Sequence, residues 1–207
     1  MSELTIYDFE QGSAEWHQAR CGVVTASRFK DVLAEGDGKM RGKYLRELAS
    51  ETIRGWVEDG YSNEHMARGQ EQEDDARRAF AFEHAIEPIR VGFIRRGRVG
   101  CSPDSLIGED GGLEIKSALG HIQIDRLQRG RLPPEHIAQV QGSLWVTGRK
   151  WWSFVSYSPD LPLMHVRVER DEEYIARLAK AVDAFTSELD ALVASLAPRE
   201  AFRRAAA

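Results

Sequence analysis

Residues 101–118 read CSPDSLIGEDGGLEIKSA. Asp104, Glu114 and Lys116 are each costly to bury alone, yet Leu113 and Ile115 alternate with the Glu and the Lys as they would on a strand with one packed face. Side chains two apart on a strand share a face, so Glu114 and Lys116 point the same way while Leu113 and Ile115 enter the sheet. If Gly111 and Gly112 close a hairpin, Asp104 lies on the neighbouring strand near the level of Lys116. Two carboxylates with the Ile115 carbonyl suit a hard divalent cation such as Mg2+. Lys116 would then activate or orient an attacking water, or stabilise a pentavalent phosphorane, as metal-assisted phosphodiester hydrolysis requires. The same short pattern also occurs as a charged surface hairpin, so by itself it leaves both readings open.

The flanking pattern supplies the rest of the fold. PIRVGFIRRGRVG before this stretch reads as strands broken by turns, and WWSFVSYSP and MHVRVER after it read as two more. Between them, HIQIDRLQRG is a helix ended by Gly130 and by Pro133-Pro134, and EHIAQVQGSLWV is another. Towards the N-terminus, SAEWHQAR reads as a short helix capped by Ser13, and Thr25 or Ser27 caps a second. RGKYLRELASETIRGWVE places Tyr44, Leu45, Leu48, Ile53 and Trp56 at helical spacing. A longer helix runs from about Ser62 to His84, and one long amphipathic helix closes the chain at about 171–197. Helices flanking a central mixed sheet define a single α/β domain over 1–207.

Composition agrees and excludes several classes. The 207 residues are 42% hydrophobic and 29% charged, ordinary for one globular domain. No apolar run is long enough for a membrane span, and the N-terminus lacks the basic-then-apolar pattern of a signal peptide. Cys21 and Cys101 are too few for a disulfide framework or a zinc cluster, and the six His residues do not fall at metal-ligand spacing. A cytosolic setting is expected. The net charge of −5 does not suggest nucleic acid, but basic residues cluster in KMRGKYLR, IRRGR and DRLQRGR, which allows a locally basic groove.

Helical phase adds two candidates. Met66, Gly69, Glu73, Ala76 and Phe80 share one stripe, and Glu73 is its only acid; Asp74 and Asp75 fall off it. A lone inward Glu pairs with an Arg or serves as a further metal ligand. Gln139 sits inward beside Leu144 and Trp145, as a buried amide or as part of the site.

Six blocks in order, EWHQARCGVVTAS (15–27), RGQEQEDDA (68–76), CSPD (101–104), LEIK (113–116), AQVQGSLWVTG (138–148) and WWSFVSYSP (151–159), make the chain resemble the phage lambda exonuclease family, a group with the PD-(D/E)xK, restriction-endonuclease-like fold. The resemblance runs from about residue 10 to about 190. It implies Asp104 and Glu114 as Mg2+ ligands with the Ile115 carbonyl, Glu73 as an acid at a second metal, and Lys116 as the residue that activates or positions water, with Gln139 lining the site. Mn2+ is expected to substitute. The resemblance further implies 5′-to-3′ digestion of one strand of linear duplex DNA to mononucleotides, leaving a 3′ overhang. It also implies a ring-shaped homotrimer, a single-strand annealing protein as partner, and a phage or prophage protein in the bacterial cytoplasm.

By the same resemblance Arg20, Ser27 and Ser102 hold a 5′-phosphate. Ser27 at a helix start would add the free N–H groups that attract anions, and Arg20 a charge-assisted contact. Without the resemblance, Ser27 reads as a helix cap, Arg20 as a surface cation and Trp16 as core. Lys39, Arg41, Lys43 and Arg46 are candidate contacts to incoming duplex, where the match is looser; Ile94, Arg95 and Arg96 depart from the family's pattern. An endonuclease with the same metal site, or an inert DNA-end-binding module, are the alternatives.

Overall fold

A computed structural model describes residues 3–34, 38–57 and 64–196, with the side chains of 64–71 outside the description. Its strands are β1 (Leu4–Tyr7), β2 (Val24–Thr25), β3 (Phe93–Arg96), β4 (Val99–Cys101), β5 (Ser105–Ile107), β6 (Gly111–Ser117), β7 (Trp151–Tyr157) and β8 (Met164–Glu169). Its helices are α1 (Ala14–Arg20), α2 (Phe29–Val32), α3 (Lys39–Arg54), α4 (Glu64–His84), α5 (Gly120–Arg129), α6 (Pro134–Thr147) and α7 (Glu172–Leu196).

The mixed sheet flanked by helices is present, but it is divided into two four-stranded sheets ordered β1-β3-β4-β2 and β5-β6-β7-β8. In the second, β6 and β7 are parallel and the outer pairs antiparallel. The two faces of this sheet take different partners. Leu113, Ile115 and Val155 pack with Ala76 and Phe80 of α4, which places the stripe containing Glu73 against the sheet. Met66 and Gly69 of that stripe lie among the side chains outside the description. The other face is covered by α5 and α6.

Helix α6 is the central one, with Val140, Leu144 and Val146 fully buried. It approaches α2 so closely that a Cβ on Gly142 would lie 2.3 Å from the Phe29 ring. Helix α7 buries Ile175, Leu178, Val182, Phe185 and Leu189, a three-four spacing that gives one continuous apolar stripe. Tyr44, Leu45 and Leu48 of α3 are buried as expected. Trp56 is not core: α3 ends at the left-handed Gly55, leaving the indole 46% exposed under the Arg54 guanidinium. Among the described residues no helix is long and apolar enough to cross a membrane.

The Gly-Gly pair does not make the turn. Gly108, Glu109 and Asp110 do, with Gly108 at φ 51°. Gly111 and Gly112 are strand residues, because the rings of Trp151 and Trp152 on β7 occupy the space a Cβ would need, at 2.2 and 2.3 Å. This shifts the register. Ser105 pairs with Leu113, so Asp104 lies level with Glu114 rather than with Lys116.

Candidate active site

Strand β5 is short, so β6 from Glu114 onward has no strand partner on that side. Asp104 fills the gap. Its backbone N–H donates to the Leu113 carbonyl at 3.1 Å, and its Oδ2 accepts the Ile115 N–H. The N–H and C=O of one strand residue point to the same side, so the Ile115 carbonyl also turns towards Asp104.

Glu114 is the centre of the arrangement and is 2% exposed. One oxygen, Oε1, receives both Lys116 Nζ at 2.6 Å and Gln139 Nε2 at 2.5 Å. The other, Oε2, is buried with no hydrogen-bond partner. A buried carboxylate oxygen left unmatched is costly, and it is the donor a hard cation requires.

The electrostatics point the same way. Burial first, then the charges of Glu114 and Glu73, push the Asp104 carboxyl well above the usual carboxylate range; Lys116 and the Ile115 N–H only partly offset this. For Lys116, burial acts to lower the pKa, but Glu114 and Asp104 outweigh it and the net shift is upward. The ammonium therefore stays charged. Crowded carboxylates and an unmatched oxygen, all hard oxygen donors, fit a divalent cation.

Glu73 reaches only the rim. Its carboxylate is ion-paired with Arg77, four residues on, the pairing its helical position allowed. Arg77, 8% exposed, also donates to Ser105 Oγ at 3.0 Å, to the Asp104 carbonyl at 3.2 Å and to Asp74 at 2.6 Å. Among the described residues, three His, Cys, Asp or Glu side chains do not close into a metal cage, and the Glu73 carboxylate is paired with Arg77. A cleft of about 660 Å3 opens here, lined among others by Gln11, Glu73, Arg77, Arg90 and Asp104.

Of the 5′-phosphate candidates the structure joins two. Arg20 Nη1 donates to Ser102 Oγ at 3.0 Å, two residues before Asp104. Its guanidinium lies 4.0 Å over the Trp16 ring, and Trp16 Nε1 donates to the same hydroxyl at 3.0 Å. Trp16 is thus a half-buried platform, not core. Burial lowers the Arg20 pKa, against the raising effect of Tyr44 and Glu51. Ser27 is exposed, 3.4 Å from Thr25 Oγ1, in a three-residue 3-10 turn, Ala26–Arg28, followed by the four-residue α2. These are too short for the helix-terminus attraction expected of it, and Thr25 caps without a side-chain bond.

The duplex candidates divide. Lys39, Lys43 and Arg46 share an exposed face of α3, with Lys43 3.6 Å from Glu47. Arg41 faces α7 instead, 2.7 Å from Glu188 and 5.2 Å from the Phe185 ring centre, and acts as a tie between helices. Arg77, against Glu73 and the Asp104 carbonyl, and the Arg126–His136 pair over Ser156 of β7 were not singled out from sequence. Only Arg77 had a local signal, its i,i+4 relation to Glu73.

A family model described as the YqaJ-like viral recombinase domain matches residues 15–150. The alkaline exonuclease LHK-Exo from Laribacter hongkongensis is 36% identical, covers 94% of this chain and 98% of its own, and superposes with a TM-score of 0.82. Its complex with dAMP matches at 37% identity and the same TM-score of 0.82. A phage-related exonuclease from Haemophilus somnus 129PT shares the fold, at 16% identity and TM-score 0.63 over 84% of this chain and 96% of that one. ExoD of Escherichia coli (strain K12) is 36% identical over 64 residues, 30% of this chain and 74% of its own length.

Proposed function

This chain belongs to the family of YqaJ-like viral recombinase domains, and from that premise we propose that it is a Mg2+-dependent exonuclease digesting one strand of linear duplex DNA from its 5′ end. The observation that carries the metal site is Glu114, with one oxygen held by Lys116 and Gln139 and the other unmatched beside Asp104. Asp104, Glu114 Oε2 and the Ile115 carbonyl would hold the ion, and Glu73 would join at a second position on leaving Arg77. When bound, Mg2+ supplies Lewis-acid charge for the phosphoryl oxygens and lowers the pKa of a water.

The protein's own groups do the rest. Gln139 and Lys116 fix the Glu114 carboxylate. Lys116, kept protonated by its two acidic neighbours, orients the attacking water and stabilises the phosphorane rather than removing a proton. Arg20 and Ser102, braced on Trp16, receive the terminal 5′-phosphate, with Ser27 a weaker contributor. Mononucleotides leave and a 3′ overhang remains for a single-strand annealing protein in the bacterial cytoplasm. A homotrimeric ring would keep the enzyme on its strand, and Mn2+ would replace Mg2+. Support for these last features is the family resemblance.

The test is digestion of end-labelled duplex with Mg2+ or chelator, comparing 5′-phosphate, 5′-hydroxyl and covalently closed circular DNA. Metal-dependent release of 5′ mononucleotides from linear DNA alone is expected. Cutting of the closed circle would establish an endonuclease instead, and end binding without hydrolysis an inert module.

A further inference from the structure

The register of the second sheet sets Ser156 of β7 beside Lys116 of β6, and laterally paired residues present their side chains on one face. On Ser156 rests a guanidinium that the hydrolytic centre does not use. Arg126 of α5 donates from Nη1 to Ser156 Oγ at 2.9 Å, and its Nη2 lies 3.3 Å from Nε2 of His136 in α6. A guanidinium has no acceptor, so His136 Nε2 accepts and the ring proton is on Nδ1.

This pair stands on a rigid base. Ser156 Oγ donates to Gln123 Oε1 at 2.6 Å, and the fully buried Gln123 returns bonds to the carbonyls of Ser156 and Pro162 at 3.0 and 2.8 Å. The His136 ring packs on Phe154 at 5.1 Å. Arg126 is 12% exposed, and its nearest carboxylate, Glu135, is 56% exposed and 3.7 Å away. The His136 imidazole is kept neutral, lowered to about 3 by burial and then by Lys116, Arg126 and Lys30. The Arg126 guanidinium thus stands against a neutral ring whose Nδ1–H is a further donor, with the exposed Glu135 carboxylate 4.0 Å from His136 Nε2 at the rim. Such a fixed, weakly neutralised cluster suits an anion.

Its place in the fold says which one. Ser102 with Arg20 leads into Asp104 at the head of β5, Glu114 and Lys116 follow on β6, and Ser156, holding Arg126 of α5, lies on β7. In strand order these are a terminal-phosphate pocket, a hydrolytic centre and a second cation. We infer that Arg126 and His136 bind the backbone phosphate immediately 3′ of the scissile one, so that the strand is gripped at three successive phosphates. This rests on the 5′-exonuclease reading above.

The experiment is single-turnover digestion with Mg2+ of 5′-phosphorylated duplexes carrying a neutral methylphosphonate at successive linkages. Wild type, Arg126→Gln, Arg126→Lys and His136→Ala are compared. Neutralising the linkage after the scissile one should slow wild type on the order of 10- to 100-fold, the size of a lost charge-assisted bond. Arg126→Gln should lose as much on unmodified DNA and little more on the neutralised strand, with Arg126→Lys intermediate. Losses that multiply in the double perturbation would show that Arg126 and that phosphate do not interact, which overturns the inference. If Arg126→Gln fails to fold, the wild-type linkage scan decides, since indifference to that linkage also overturns it. A wild type inactive on unmodified DNA refutes the exonuclease reading itself, a separate result.

Discussion

Replacing Gly112 by Ala should damage this protein more than replacing Gly111, although the two are adjacent and neither has a left-handed φ. A Cβ at 112 would lie 2.3–2.4 Å from three atoms of the Trp152 indole, which is fully buried beneath α6 and cannot move aside. A Cβ at 111 meets Trp151 at 2.2 Å, but that indole is only half-buried and covered by the Arg167 side chain at 4.0 Å, so it can swing outward. Overpacking a closed core costs about 1–3 kcal/mol, and at this chain length each kcal/mol moves Tm by about 2–4 °C. Gly112→Ala should therefore lower Tm by roughly 4–10 °C, with Gly111→Ala losing less than half of that. Glu114 lies two residues along the displaced strand, so Gly112→Ala should also slow hydrolysis. Thermal melts and urea titrations of both variants, with Gly108→Ala as a true turn control, read this directly. Equal, small losses at 111 and 112 would mean that the pair behaves as a turn and that the packing argument is wrong.

Other expectations follow from the centre itself. Glu114→Gln should keep the fold, abolish the Mg2+-induced rise in Tm and cut turnover on the order of 10³-fold; retained turnover would remove Glu114 from the metal site. Burial, Glu114 and Glu73 raise the Asp104 carboxyl, so the folded protein holds a proton that the unfolded chain releases at lower pH. Metal-free stability should then fall as pH rises from the ordinary carboxylate range to the raised value, and stabilisation by Mg2+ should grow across the same window because the ion replaces that proton; a metal effect independent of pH there would contradict the assignment. Arg20→Ala should slow 5′-phosphorylated ends about tenfold or more and 5′-hydroxyl ends little, whereas equal slowing of both would make Arg20 a general contact.

The parts legible in the sequence were those with local periodicity. The α7 stripe and the seating of Ala76 and Phe80 could be read from spacing alone, and so could the shared face of Glu114 and Lys116. What escaped depends on contacts distant in the chain. Gly111 and Gly112 resemble a turn until Trp151 and Trp152, forty residues later, are seen filling the space above them. Strand β1 is four residues long and pairs with β3, but its Leu4 and Ile6 are exposed, so their alternation marks no buried face. Trp16 looked like core because its indole is large. Its role comes from Arg20 and Ser102, the latter reached only through the fold. Arg126 and His136 lie ten residues apart on separate helices and meet over a strand twenty residues further on.

The net charge of −5 hid the DNA-directed chemistry for a related reason. Many of the guanidiniums are matched by acids: Arg28 with Asp31 and Glu47, Arg41 with Glu188, Arg77 with Glu73 and Asp74, and Arg98 with Asp190. Such pairs cancel locally and offer little to a polyanion. Arg20 is different: it rests on the Ser102 hydroxyl and on the faces of Trp16 and Phe93. Arg126 rests on Ser156 and a neutral His136, with one carboxylate, the exposed Glu135, 3.7 Å away. Burying a cation on neutral partners is unfavourable in the free protein, and a phosphate arriving there relieves the cost. Because charge is felt over only about 8 Å at physiological salt, on the proposed reading these two positions, rather than the sum over the surface, would decide where a DNA strand settles.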